Sequence, residues 1–170
     1  MHEILRLLEV RDSNYVEFIN YALNNSDYFM LVYVRYNMAP ESIFTNNIFK
    51  DLRDLTVKTR ANPSWAGTPE TYSNNTAYKI TFYRSDPSAQ QVLNRVNSIY
   101  NWTRPENPQD LAFYRGGQCW FYSIGHEEMS GIIDPSPEDK TFFEERSLID
   151  SLFRVEHALD SQFIEEGLSS

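Results

Sequence analysis

His126 stands directly before Glu127 and Glu128 in the run Gly125-His126-Glu127-Glu128-Met129. An imidazole beside a carboxylate can work as an acid–base pair or begin a metal site. The helical zinc-protease pattern needs a second histidine four residues on, and position 130 is Ser. His157 lies 31 residues further along, with Asp160 after it, and the chain has only 3 histidines. A metal site needs several convergent ligands, so neither a metal nor a cofactor is expected. The competing reading is a turn histidine with solvated glutamates. Cys119, the single cysteine, could pair with His126 as a thiol nucleophile. A reactive thiol needs an open, electropositive setting, whereas Cys119 sits between Gln118 and Trp120 in an aromatic run where burial is the rule. No P-loop, GxGxxG, GxSxG or HExxH pattern occurs, which removes the common phosphate- and acyl-transfer signatures.

Binding chemistry is better represented. Trp65 lies in the run from Arg60 to Gly67, which is bounded by Pro63 and Gly67. An aromatic held on such a loop is either a partner anchor or a plug for the core. Leu111–Ser123 reads as two aromatic runs around Gly116-Gly117, a pair suited to a tight primed turn. A two-residue turn pairs Arg115 with Gln118, Tyr114 with Cys119, Phe113 with Trp120 and Ala112 with Phe121. That register places Leu111, Phe113, Trp120 and Tyr122 on one face and Ala112, Tyr114, Cys119 and Phe121 on the other. Trp65, Tyr114, Arg115, Trp120, His126 and Glu127 are therefore the candidate partner-binding residues.

Charge narrows the partner. The chain carries a formal charge of −9. From 138 to 170 there are nine acidic and three basic residues, a net of −6, against −3 in the remaining 137 residues. Such a C-terminal region disfavours direct contact with nucleic acid or an anionic membrane and favours encounter with a basic protein. Its glutamates, including Glu144, Glu145, Glu156, Glu165 and Glu166, read either as a solvated helix face or as an acidic docking surface. Nucleic-acid mimicry is a minor alternative, because it needs charge spread over a broad face.

The elements that must position these residues follow from pattern. At 170 residues, with 41% hydrophobic and 23% charged residues, the chain reads as one α+β domain spanning 1–170. Aromatics reach 15%, with 11 Tyr and 11 Phe, a content that suits recognition surfaces as well as cores. Met1–Val10 holds Glu3, Arg6 and Glu9, unlike a secretory leader, and no apolar run is long enough to span a bilayer. The expected location is cytoplasmic, with Asn24, Asn74 and Asn101 as coincidental sequons. Ile4–Val10 fits helix or strand. A helix is expected from Asp12 or Ser13 to Asn24, with Val16, Ile19 and Leu23 on its buried stripe. Tyr28–Tyr36 is apolar on both faces and reads as a central strand. Glu41–Leu55 has helical spacing. Thr56–Thr76 reads as a long loop with an edge strand at Thr56–Arg60. Tyr78–Arg84 alternates as a half-covered strand. Asp86-Pro87 starts a helix whose stripe is Val92, Leu93, Val96, Ile99 and Tyr100. After the hairpin, a turn over Gly125–Ser130 and a short strand at Gly131–Asp134 complete a β-meander. Ser136-Pro137-Glu138-Asp139 opens a long amphipathic C-terminal helix carrying Phe142, Ile149, Leu152, Phe153, Leu159 and Phe163 and ending at Gly167. The expected architecture is a central, mostly antiparallel sheet with a C-terminal meander, packed by helices.

One stretch carries a resemblance. Asp86-Pro87, the run from Pro108 to Tyr114, the Gly-Gly turn, Cys119-Trp120-Phe121 and His126-Glu127 together resemble a piece of small bacterial immunity-type proteins. The resemblance covers Asp86–Asp134, and it implies a small acidic α+β domain of bacterial or phage origin that neutralises another protein, a toxin or defence component, by binding it. It carries over no catalytic residues. The favoured expectation is a non-enzymatic, immunity- or inhibitor-like binding domain. Two alternatives stand beside it: a hydrolase-type enzyme using His126 with Glu127 or Glu128, and an oligomerising module that self-associates through the hairpin's second face.

Overall fold

The computed structural model describes residues 1–35, 47–61, 64–68 and 77–155. Among these residues eight strands run in chain order: β1 His2–Leu7, β2 Tyr28–Arg35, β3 Thr56–Ala61, β4 Ala77–Arg84, β5 Gln109–Arg115, β6 Gln118–Ile124, β7 Met129–Ile133 and β8 Ile149–Val155. Four α-helices lie between them: α1 Asp12–Asn24, α2 Ile48–Asp51, α3 Gln90–Leu93 and α4 Pro137–Glu145. The strands form one sheet in the order β3-β4-β2-β5-β6-β7-β1-β8, and every neighbouring pair is antiparallel. The α+β class, the antiparallel sheet and the β5-β6-β7 meander are as the sequence pattern indicates.

Alternation along β2 sets the two layers. Phe29, Leu31 and Tyr33 enter the core beneath the helices, while Met30 and Val32 enter a second apolar cluster on the opposite face. On the helix side, α1 contributes Tyr15, Phe18, Ile19, Ala22 and Leu23. Phe18 is its centre, with ring centroids 5.9 Å from Phe113, 4.6 Å from Phe121 and 5.8 Å from Phe143. Val16, expected on this stripe, is exposed. The second cluster joins Ile4, Met30, Val32, Ile80, Phe82, Tyr114 and Tyr122 with Trp65 and Ala66.

Three expectations are corrected. The long C-terminal amphipathic helix is instead the nine-residue α4 followed by β8. The start is as expected: Ser136 accepts from the Asp139 backbone N–H, and Asp139 accepts from that of Ser136. The helix stops at Glu145 because Ser147 takes a left-handed φ of 55°, and Ile149, Leu152 and Phe153 then extend along β1. Their three- and four-residue spacing suits a helix, but pairing with an open edge of the sheet satisfies the same backbone. Glu156, His157, Leu159, Asp160, Phe163, Glu165, Glu166 and Gly167 lie outside the described residues, as do 41–46 of the expected second helix. The helix after Asp86 is also shorter than its apolar spacing suggests. Asp86 caps it through the Ser88 N–H, yet it ends at Leu93, and Ile99 and Tyr100 belong to a separate turn.

The third correction concerns the hairpin. Arg115 pairs with Gln118 and Tyr114 with Cys119, but Phe113 pairs with Phe121 across a β-bulge. The extra residue turns both Trp120 and Phe121 to the helix side and sends Tyr122 to the other face.

Candidate functional site

The hairpin tip is fastened to α4. Arg115 ends β5 with its guanidinium 4.6 Å from the centre of the Trp120 ring, and both of its Nη atoms reach the Asp139 carboxylate. Asp139 is wholly buried and also accepts from Tyr21 Oη at 2.6 Å and Ser136 N at 2.9 Å. Burial alone pushes its carboxyl up, but the Arg115, Tyr21 and Ser136 hydrogen bonds outweigh this and hold it below the ordinary carboxylate value. The Tyr21 phenol moves up, first by burial and then by the adjacent Asp139 charge.

This anchor frames a groove between α1 and α4. Its volume is about 400 Å³, and Tyr21, Pro137, Glu138, Thr141, Phe142, Glu145 and Arg146 line it. Tyr21 stacks on Phe142 at 4.4 Å and 22°, and Arg146 lies 3.7 Å from the Phe142 ring centre. Arg146 is already engaged, with Nε 2.7 Å from Glu17 Oε2. Glu138 and Glu145 on the groove, and Glu144 beside it, are exposed. The surface thus combines an aromatic wall with outward carboxylates, a lining suited to a cationic, partly apolar segment.

The opposite end of β6 holds the other sequence-picked residues. Trp65 is buried, and its indole Nε1 donates to Asp110 Oδ2 at 2.8 Å. The Gly125 N–H donates to Asp110 Oδ1 at 3.0 Å. Asp110 is itself buried, and burial pushes its carboxyl up to about 6 against the pull of the Trp65, Gly125 and His126 groups. His126 sits on the turn Gly125–Glu127 with 61% of its side chain exposed and Nε2 3.7 Å from Glu127 Oε1.

The six candidate contact residues therefore separate. Trp65, Tyr114 and Trp120 are buried in the two apolar clusters. Trp65 plugs the second apolar cluster, and Trp120 donates to Ser26 Oγ at 2.8 Å. Arg115 is one-third exposed and committed to Asp139, while His126 and Glu127 face outward at the far end of the sheet. Cys119 is buried beside the main-chain carbonyl of Phe121, and burial pushes its thiol well up. It lies near one end of β6 and His126 beyond the other, roughly 20 Å apart by strand rise. Ala112, Tyr114 and Cys119, the second hairpin face, are also buried. Among the described residues no three His, Cys, Asp or Glu groups converge as metal ligands, and no helix is long and apolar enough to cross a membrane.

Sequence reasoning missed Asp110, Asp139 and Tyr21. Asp110 is the second residue of β5, a position where a carboxylate ordinarily marks a solvated strand end. Asp139 carries a signal, its place three residues after a capping serine, but that explains the cap and not Arg115. Comparison with protein-family models, curated proteins and solved structures gave no match.

Proposed function

We propose that the protein is a non-enzymatic binding domain that neutralises a basic partner protein, in the manner of an immunity or inhibitor protein. The observation that carries this reading is the α1–α4 groove. Tyr21 and Phe142 supply a rigid aromatic wall, exposed Glu138 and Glu145 supply negative charge, the latter shared with Arg146 at 4.0 Å, and the Arg115–Asp139 anchor holds the helix in place. Aromatic anchors give a protein contact its affinity, and complementary charge speeds encounter. The chain's −9 charge extends the same preference over the whole surface. The acid–base alternative has weaker support: His126 is exposed, and both oxygens of neighbouring Asp110 are occupied by Trp65 and Gly125.

The test is affinity capture from a native bacterial lysate with the wild-type chain and with a Glu138→Lys/Glu145→Lys variant, combined with a photo-crosslinker at exposed Thr141 or, as a control, at Val57 on the far edge. The expected result is one basic protein retained by the wild type, released by salt, lost with the variant and crosslinked from position 141 only. Retention unchanged by charge reversal, or crosslinking from 57 alone, overturns the assignment.

A further inference from the structure

We infer that the segment between α3 and β5 holds a binding pocket for a neutral saccharide ring. The pocket has a volume of about 520 Å³, and four of its lining residues are asparagines: Asn94, Asn97, Asn101 and Asn107. Arg95, Thr103 and Glu106 add further polar groups. None of these residues lines the groove between α1 and α4.

The backbone of the pocket is fixed. The Asn101 carbonyl accepts from Thr103 N at 2.8 Å and from Asn107 Nδ2 at 3.0 Å. Asn101 Oδ1 accepts from Asn97 N at 3.3 Å, and the Asn97 carbonyl accepts from Asp12 N at 2.7 Å, at the start of α1. Asn107 is buried and ties the far end of the segment to this frame. Other polar side chains of the pocket are not used by the fold. Asn97, Thr103 and Glu106 make no side-chain hydrogen bond or ion pair among the described residues, and Asn97 and Glu106 are exposed. Asn94 Oδ1 is buried with no hydrogen-bond partner. A buried acceptor without a donor destabilises the fold, so its place on a pocket wall points to a donor carried by a ligand.

The chemistry of the uncommitted groups selects that ligand. An amide presents a donor beside an acceptor, Thr103 presents a hydroxyl, and Glu106 presents two acceptor oxygens. A sugar ring matches this set, because its neighbouring hydroxyls both donate and accept and span the two ends of an amide or a carboxylate. Other ligand classes fit less well. A nucleobase needs an aromatic face to stack on, and none lines the pocket. An anion needs a free cation, whereas Arg95 is engaged by Asp51 at 2.7 Å and Glu106 adds negative charge. A metal ion needs convergent acidic or imidazole ligands, and no three converge among the described residues. An extended peptide needs pockets for its side chains, and Val96 is the only apolar residue of the lining.

The test is an NMR titration of the full chain with glucose, galactose, mannose and N-acetylglucosamine, read at the asparagine side-chain amide signals. At least one sugar is expected to give saturable shifts at Asn97 and Asn101, with a millimolar Kd. Asn97→Ala and Glu106→Ala remove exposed, uncommitted groups, and each is expected to weaken that binding about tenfold with thermal unfolding unchanged. Asn94→Leu is expected to abolish binding and to raise Tm, because it removes a buried carbonyl that the fold leaves unpaired. No saturable shift with any of the four sugars into the tens of millimolar overturns the inference. So does binding that survives both alanine variants or Asn94→Leu unchanged, and so does triglycine bound more tightly than every sugar. Glu138 and Glu145 are intact in these variants, so failure here leaves the partner-binding proposal standing, and the reverse holds.

Discussion

The Arg115 guanidinium grips the Asp139 carboxylate from the tip of the β5–β6 hairpin, joining the sheet to the first turn of α4 through a fully buried acid. Removing one member leaves the other poorly compensated, whereas removing both does not. A double-mutant cycle with Arg115→Met and Asp139→Leu, measured by urea unfolding, is expected to give a coupling of about 1–3 kcal/mol. Additive single effects would show the pair to be energetically idle.

Asp110 and Asp139 give opposite pH dependences. The Asp110 carboxyl is raised to about 6, so between the unfolded value near 4 and pH 6 the folded state holds more protons than the unfolded state. Stability from this group therefore falls as pH rises through that window, by roughly 3 kcal/mol. Asp139, held low, contributes stability above pH 4 that is lost as pH falls through its folded value. The difference in unfolding free energy between wild type and Asp110→Asn, followed from pH 4 to pH 6.5, should isolate the first effect. Asn tolerates the φ of 61° that Asp110 adopts. A ¹³C titration midpoint near 4 for the Asp110 carboxyl contradicts the prediction.

Phe18 is wedged among Phe113, Trp120, Phe121 and Phe143. Phe18→Ala should cost about 3–5 kcal/mol by denaturant unfolding. Val16→Ala, two residues away in α1 but 45% exposed, should change stability by less than about 0.5 kcal/mol. Comparable losses would mean that α1 is rotated on the sheet.

Two glycines should respond differently to alanine. A Cβ at Gly125 would lie 2.3 Å from the Trp102 carbonyl oxygen, a backbone atom with no side-chain freedom to move. Gly125→Ala should cost roughly 3 kcal/mol and loosen the Asp110 contact with it. Gly116, at φ 59° with open space around it, should cost about 1 kcal/mol, the strain of the left-handed backbone alone. Thermal unfolding of the two variants separates these cases.

Local pattern determined much of this protein. The two-sided apolar alternation of 28–34 specified a central strand, Gly116-Gly117 specified the hairpin, Thr56–Arg60 read as an edge, and Ser136-Pro137 specified the start of α4. Each rests on interactions within a few residues, which sequence carries directly. Tertiary structure decided the rest. Ile149, Leu152 and Phe153 fit a helix by spacing and became strand β8 because β1 offered an unpaired edge. The bulge opposite Phe113 exchanged the faces of Phe121 and Tyr122, a shift of one residue that no period-two pattern encodes. Trp65 looked equally suited to contact and to core, and only packing from distant elements placed it inside. The carboxylates that matter, Asp110 and Asp139, owe their burial to partners 45 and 24 residues away in the chain, Trp65 and Arg115. Burial and partnership are properties of three-dimensional neighbours, so the groove and its anchor became visible only once the chain was folded.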